Sequence, residues 1–211
     1  MGISERKERE REQRRSDIID AAERIIFKRG LENSTMDDIA EEAELSKGTL
    51  YLYYKSKEDI QFAIFRRGAE ILLKFMEKNI ESKSTGYEKL LELAATTVQF
   101  SQTHSNYFQF FMMFETSQLD KLNIERSSAE KYLLEETPLS IVDKCVELGI
   151  EDGSLRNDIP SRIFSATLWT QLLGLLVIMN NKSDIYKMFN ISQTDILQTH
   201  LTLVSNGAVK D

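Results

Sequence analysis

Ser46, Lys47, Gly48, Thr49 and Tyr51 stand within six positions of one another. Together they offer two hydroxyls, an ammonium, a phenol and a backbone bare of side chain. These groups bind phosphate oxygens and base edges by hydrogen bond and charge, and no covalent step is implied. Covalent or metal chemistry has little to work with elsewhere. The two histidines, His104 and His200, lie far apart, there is one cysteine, and no HExxH, GxSxG, GxGxxG or P-loop pattern occurs. No enzymatic activity is expected, and no cofactor or metal.

The elements that must position those residues run from Thr35 to Asp59, TMDDIAEEAELSKGTLYLYYKSKED. Thr35 with Asp38, and Ser56 with Asp59, have the form of capping boxes, in which a hydroxyl and a carboxylate satisfy backbone N–H groups in return. Ile39, Ala40 and Ala43 give the first short helix a narrow apolar face. Glu44 and Leu45 make the turn, and Ser46 is placed to cap a second helix over Lys47 to about Tyr53. On that helix Leu50 and Tyr54 point one way and Lys47 and Tyr51 another. One face packs and the other touches something. Such a pair has the form of a helix-turn-helix whose second helix enters a major groove. It also suits a small helical subdomain with a solvated Lys and a packed Tyr. Gly48 costs about 1 kcal/mol relative to Ala in a helix, and its bare backbone allows close approach.

Over roughly residues 15–65, and most specifically at SKGTLYLYYKSKED, the chain resembles the TetR family of bacterial transcriptional repressors. Two departures stand out. Glu44 occupies a turn position where the family has Gly, so either the turn needs no positive φ or it carries mild strain. Tyr53 and Tyr54 replace a His or Tyr followed by Phe, so whichever hydroxyl points inward needs a partner. The resemblance implies that Ser46, Lys47, Gly48, Thr49 and Tyr51 meet DNA in the major groove, and that Thr35, Tyr53 and Lys57 hold phosphates. It implies a homodimer through the two C-terminal helices. The operator is then a palindrome, with reading helices about 34 to 36 Å apart.

Charge alone does not find this interface. The chain has a net charge of −7, and residues 1–60 hold twelve Lys or Arg against fifteen Asp or Glu. The distribution is what matters: six of the basic residues precede residue 16, and Lys47, Lys55 and Lys57 flank the second helix. The N-terminal MGISERKEREREQRR reads either as a frayed, solvated helical extension or as an arm whose Arg14 and Arg15 reach phosphates or a minor groove. With Cys145 alone, no internal disulfide forms, and a cytoplasmic location is expected. Cys145 falls at core spacing. No N-terminal apolar run precedes a cleavage site, and the run Leu172–Met179 is too short to span a bilayer, so no membrane partner is expected.

Helical periodicity runs through the rest of the chain, which is expected to be all-α. An N-terminal arm and three-helix helix-turn-helix domain covers 1–60, and a ligand-binding and dimerisation domain covers 61–211, linked by a long helix over 57–80. Further helices are expected over 87–103, the aromatic stretch near 106–115, 127–136, 138–148 and 161–180, with a last one capped by Ser192. The helix over 161–180 is apolar nearly all round, which asks for cover from a second subunit. Phe100, Phe108, Phe111, Tyr132, Trp169 and Leu173 are the candidate lining of a pocket for a small apolar or aromatic ligand. Two functions follow. One is a ligand-responsive dimeric repressor in which the ligand tilts helix 57–80; the other is a dimeric small-molecule binding protein without specific DNA binding.

Overall fold

A computed structural model describes residues 2–114, 121–123, 125–181 and 183–209. Among the described residues there is no strand. The helices are α1 (Ile3–Arg29), α2 (Met36–Glu42), α3 (Lys47–Tyr53), α4 (Lys57–Ile80), α5 (Gly86–Thr103), α6 (Ser105–Met113), α7 (Arg126–Glu135), α8 (Pro138–Glu151), α9 (Ser161–Asn181), α10 (Ser183–Met188) and α11 (Gln193–Ala208). They fall into two compact units, Met1–Gly68 with Met113–Glu130, and Ala69–Met112 with Lys131–Asp211. The division runs through α4, the helix expected to link the two parts. No sequence signal announced that residues 113–130 join the first unit. Much of the loop expected over 116–126 lies outside the described residues.

In the first unit, Ile18, Ile19, Ala22, Ile25 and Ile26 recur at helical spacing on α1 and are buried with Ile39, Leu50, Ile60 and Ile64. Gly30 ends α1 at φ 84°, a conformation glycine adopts without a Cβ clash. Side chains then lock the helices together. Arg24 and Arg29 pair with Glu42 at 2.6 Å and Asp38 at 3.1 Å on α2. Arg67 on α4 reaches Asp20, Glu23 and the Ser16 hydroxyl on α1 at 2.5, 3.1 and 2.9 Å. Phe114 packs on Phe65 with centroids 4.6 Å apart, and the Asn123 N–H donates to Asp59 at 2.8 Å. Ser56 accepts the Asp59 N–H as expected, but the Asp59 carboxylate answers the Lys55 N–H, one residue earlier than a capping box requires.

The core of the second unit joins α4, α5, α6, α8, α9 and α11 through Leu72, Met76, Leu93, Phe100, Phe108, Val142, Val146, Phe164, Leu172 and Ala208. Phe75, expected on the apolar side of α4, is 40% exposed, and Met76 takes the buried position. Helices α5 and α8 approach closely at Gly86 and Gly149. A Cβ on Gly86 would land on the Gly149 backbone and lie 2.5 Å from the Cys145 carbonyl. Arg156 grips Asp158 with two bonds of 2.6 Å and the Gly207 carbonyl at 3.0 Å, fixing the end of α11.

Helix α8 continues to Glu151, past the expected stop at 148. The short α10 was not foreseen. Over its whole length α9 is long and apolar enough to cross a membrane, which the run 172–179 did not suggest; Thr167, Thr170 and Gln171 precede that run without offsetting the mean hydropathy of the helix. It packs as a core helix on one side, where Phe164, Leu172, Leu176 and Met179 are buried and the Ser165 hydroxyl donates to Asp143.

Candidate nucleic-acid interface and body cavity

The α3 face is set by its two ends. Ser46 caps the helix by accepting the Thr49 N–H at 3.1 Å, and the two hydroxyls share a bond of 2.8 Å. Leu50 is fully buried and Tyr54 nearly so, which fixes the rotation of the helix. Lys47 and Gly48 are left exposed, Thr49, Tyr51 and Tyr53 half-buried, and Leu52 is 70% exposed. The five candidate residues therefore share one short helix and its cap. Thr35, the N-cap of α2, is engaged in a complete capping box: its hydroxyl accepts the Asp38 N–H at 3.2 Å while the Asp38 carboxylate accepts the Thr35 N–H at 2.9 Å. The Thr35 hydroxyl also donates to that carboxylate, and this bond first, with the Thr35 N–H after it, holds the Asp38 carboxyl below its ordinary value. The Lys57 ammonium donates to the Leu31 carbonyl at 2.6 Å, tying the start of α4 to the end of α1.

In the second unit, Phe100, Phe108 and Phe111 are brought together, with Phe100 and Phe111 stacked at 6.0 Å. Trp169 and Leu173 pack against the same core, and Tyr132 is buried on α7. Trp169 also lines an apolar cavity of about 70 Å³ with Leu90, Ala94, Leu168, Leu172 and Leu201, between α5, α9 and α11. The other five candidate residues are not among its lining. In the aromatic cluster His104 stacks on Phe100 at 4.9 Å and meets Phe75 edge-on at 5.4 Å. His200, half-buried, stands on the cavity wall, and burial pushes its imidazole below the ordinary value. Burial likewise raises the Cys145 thiol.

The sequence profile of bacterial regulatory proteins of the tetR family matches residues 18–64, the span that holds the whole α3 face and its packing. Residues 18–64 belong to the TetR family of transcriptional regulators. A fatty acid metabolism regulator protein of Bacillus subtilis is 29% identical over 146 residues, 69% of this chain and 73% of that one. Two solved structures share the fold along almost the whole chain. A putative tetR family regulator from Shewanella sp. PV-4 gives a TM-score of 0.72 at 16% identity, covering 94% of this chain and 99% of that one. FadR of Bacillus subtilis, in complex with stearoyl-CoA, gives 0.69 at 23% identity, covering 91% and 98%.

Three features of this TetR head were hidden from the sequence. Lys47 does not project freely: its ammonium pairs with Asp37 on α2 at 2.7 Å, and that hydrogen bond holds its proton more tightly than usual. Glu44 takes φ 55°, so of the two readings of the turn the strained one is correct. Tyr54 is the inward tyrosine. Burial raises its hydroxyl, opposed by Arg15, whose guanidinium lies 4.8 Å over the ring. Arg15 therefore serves as a packing residue, and its spacing alone could not distinguish that from a free arm.

Proposed function

We propose that this TetR regulator is a homodimeric repressor that holds a palindromic operator through two copies of α3 and releases it when a long-chain acyl compound occupies the body. The observation that carries the reading is the α3 face: Lys47, Gly48, Thr49 and Tyr51 turned outward on a helix seated by Leu50 and Tyr54. Phosphate contacts from Thr35, Tyr53 and Lys57 set position, and the few base-edge contacts select sequence. Dimerisation through α9 and α11 is supported by a wide groove of about 700 Å³ between them, floored by Gly174 and Gly207 and edged by Ile178 and Leu203. Ile178 and Leu203 are 47 and 68% exposed there, more apolar surface than a lone chain needs to leave in water.

The ligand class follows from the predominantly apolar character of the α5/α9/α11 lining and from the fatty acid metabolism regulator that resembles the chain. A volume of about 70 Å³ is that of about two waters. A long acyl chain thus fits only a widened body, and its affinity for that state is what drives release. Because α4 passes without a break from the second unit into the first, tilting it carries the change to the head. The test compares Lys47→Ala and Tyr51→Ala with the parent in operator binding and in size-exclusion mass. Both are expected to lose roughly tenfold or more in affinity and to remain dimers. Loss of the dimer, or unchanged affinity, contradicts the reading.

A further inference from the structure

The N-terminal extension is helical and exposed. Residues 3–17 continue α1 without a break, and this changes how their charges are arranged. At 3.6 residues per turn, about 100° each, Lys7, Arg11 and Arg14 form one stripe, while Glu5, Glu8 and Glu12 form another roughly a quarter to a third of a turn away. The alternating sequence becomes two faces of opposite sign. The basic stripe borders a concavity of about 510 Å³ whose other wall is Leu52 and Tyr53 at the end of α3. Glu10 on its rim is neutralised by Arg6 at 3.3 Å, and Arg14 has only a loose pairing with Asp17 at 4.0 Å. Lys7 and Arg11 have no carboxylate partner among the described residues, and both are exposed. Two unneutralised cations thus face a groove that shares Tyr53 with the reading helix.

We propose that this groove is a second DNA contact, in which Lys7 and Arg11 clamp the phosphate backbone flanking each half-site and Arg14 joins them as DNA displaces Asp17. This rests on the repressor reading and extends it. It also answers how a head with an acidic balance binds a polyanion: Glu5, Glu8 and Glu12 lie on a different face from the clamp, and Glu10 on its rim is paired with Arg6. Such contacts carry no base information, so they add affinity and salt dependence without changing the motif.

The test measures operator affinity against salt for the full-length parent and for the double variant Lys7→Gln/Arg11→Gln, whose glutamines preserve helix propensity. Two duplexes are used: the palindrome alone, and the palindrome with about ten extra base pairs on each side, one turn of DNA. The control is Glu5→Gln/Glu8→Gln, which alters charge on the other face. On the flanked duplex the clamp variant is expected to bind roughly tenfold more weakly in low salt. Its salt slope should fall by about two per head, one for each phosphate no longer neutralised. On the short duplex it should match the parent, and the control should keep the parent's slope on both. Equal slopes and affinities for the clamp variant and the parent on flanked DNA overturn the proposal. So does an equal loss on both duplexes with a fall in thermal stability, which makes the stripe structural. If the parent itself prefers no palindrome, the repressor reading fails and the clamp falls with it.

Discussion

Glu44 is the residue in the head whose backbone conformation disagrees most with its side chain. At φ 55° its Cβ crowds the carbonyl, a cost of about 1 kcal/mol that glycine avoids. Glu44→Gly is therefore expected to stabilise the head by about that amount or somewhat less, since glycine also loses more entropy on folding. Urea denaturation followed by circular dichroism checks this; a destabilised variant means the carboxylate makes a contact worth more than the strain. Tyr54 gives a pH prediction. Its folded hydroxyl is raised above the ordinary 10.0, so the folded state holds that proton more tightly than the unfolded one. Its contribution is complete below the unfolded value and is lost as pH rises through the folded value. Alkaline titration of stability should show a decline above pH 10 that Tyr54→Phe makes shallower, and an identical decline in both proteins contradicts the assignment. At this scale the caps were legible, because Thr35 with Asp38 and Ser46 with Thr49 are local pairings three residues apart. Asp37 with Lys47 was not, since that pair forms across a turn whose geometry a linear sequence does not state.

Among the elements, the crossing of α5 and α8 is the least forgiving. Gly86 meets the backbone of Gly149 and the Cys145 carbonyl, none of which can rotate away. Gly86→Ala should force the helices apart at a cost of about 1 to 3 kcal/mol, or more if the core does not repack. Gly149→Ala should cost less, because its added methyl meets the movable side chain of Leu155. Thermal unfolding of the two variants orders them, and equal effects would mean that the approach relaxes. Long helices could be read from periodicity: α4 over 57–80 and α5 nearly to the residue. The six-residue α10 could not, as it is too short to repeat a pattern and is followed by an asparagine at φ 55°. The extension of α1 was ambiguous for another reason. Charges alternate along the chain, and only a continuous helix sorts them into faces.

At the scale of the molecule, composition pointed away from DNA while placement pointed toward it: the net charge is −7, yet Lys47, Lys55 and Lys57 stand on or beside α3. The body was less legible. Aromatic residues at helical spacing suit a cavity wall and a close-packed core equally well, and here Phe100, Phe108 and Phe111 pack with one another while an apolar space opens between α5, α9 and α11. Residue types are written in the chain, but whether neighbours fill a space or leave it empty depends on sub-ångström packing. Regulation by this protein requires that DNA selection and ligand occupancy be coupled. Selection of genomic fragments by the full-length protein at two salt concentrations, with and without stearoyl-CoA, tests that coupling directly. One palindromic motif is expected to be retained at both salt concentrations and released by the acyl compound. Featureless retention that disappears at the higher salt, or a palindrome held equally with and without the compound, contradicts it.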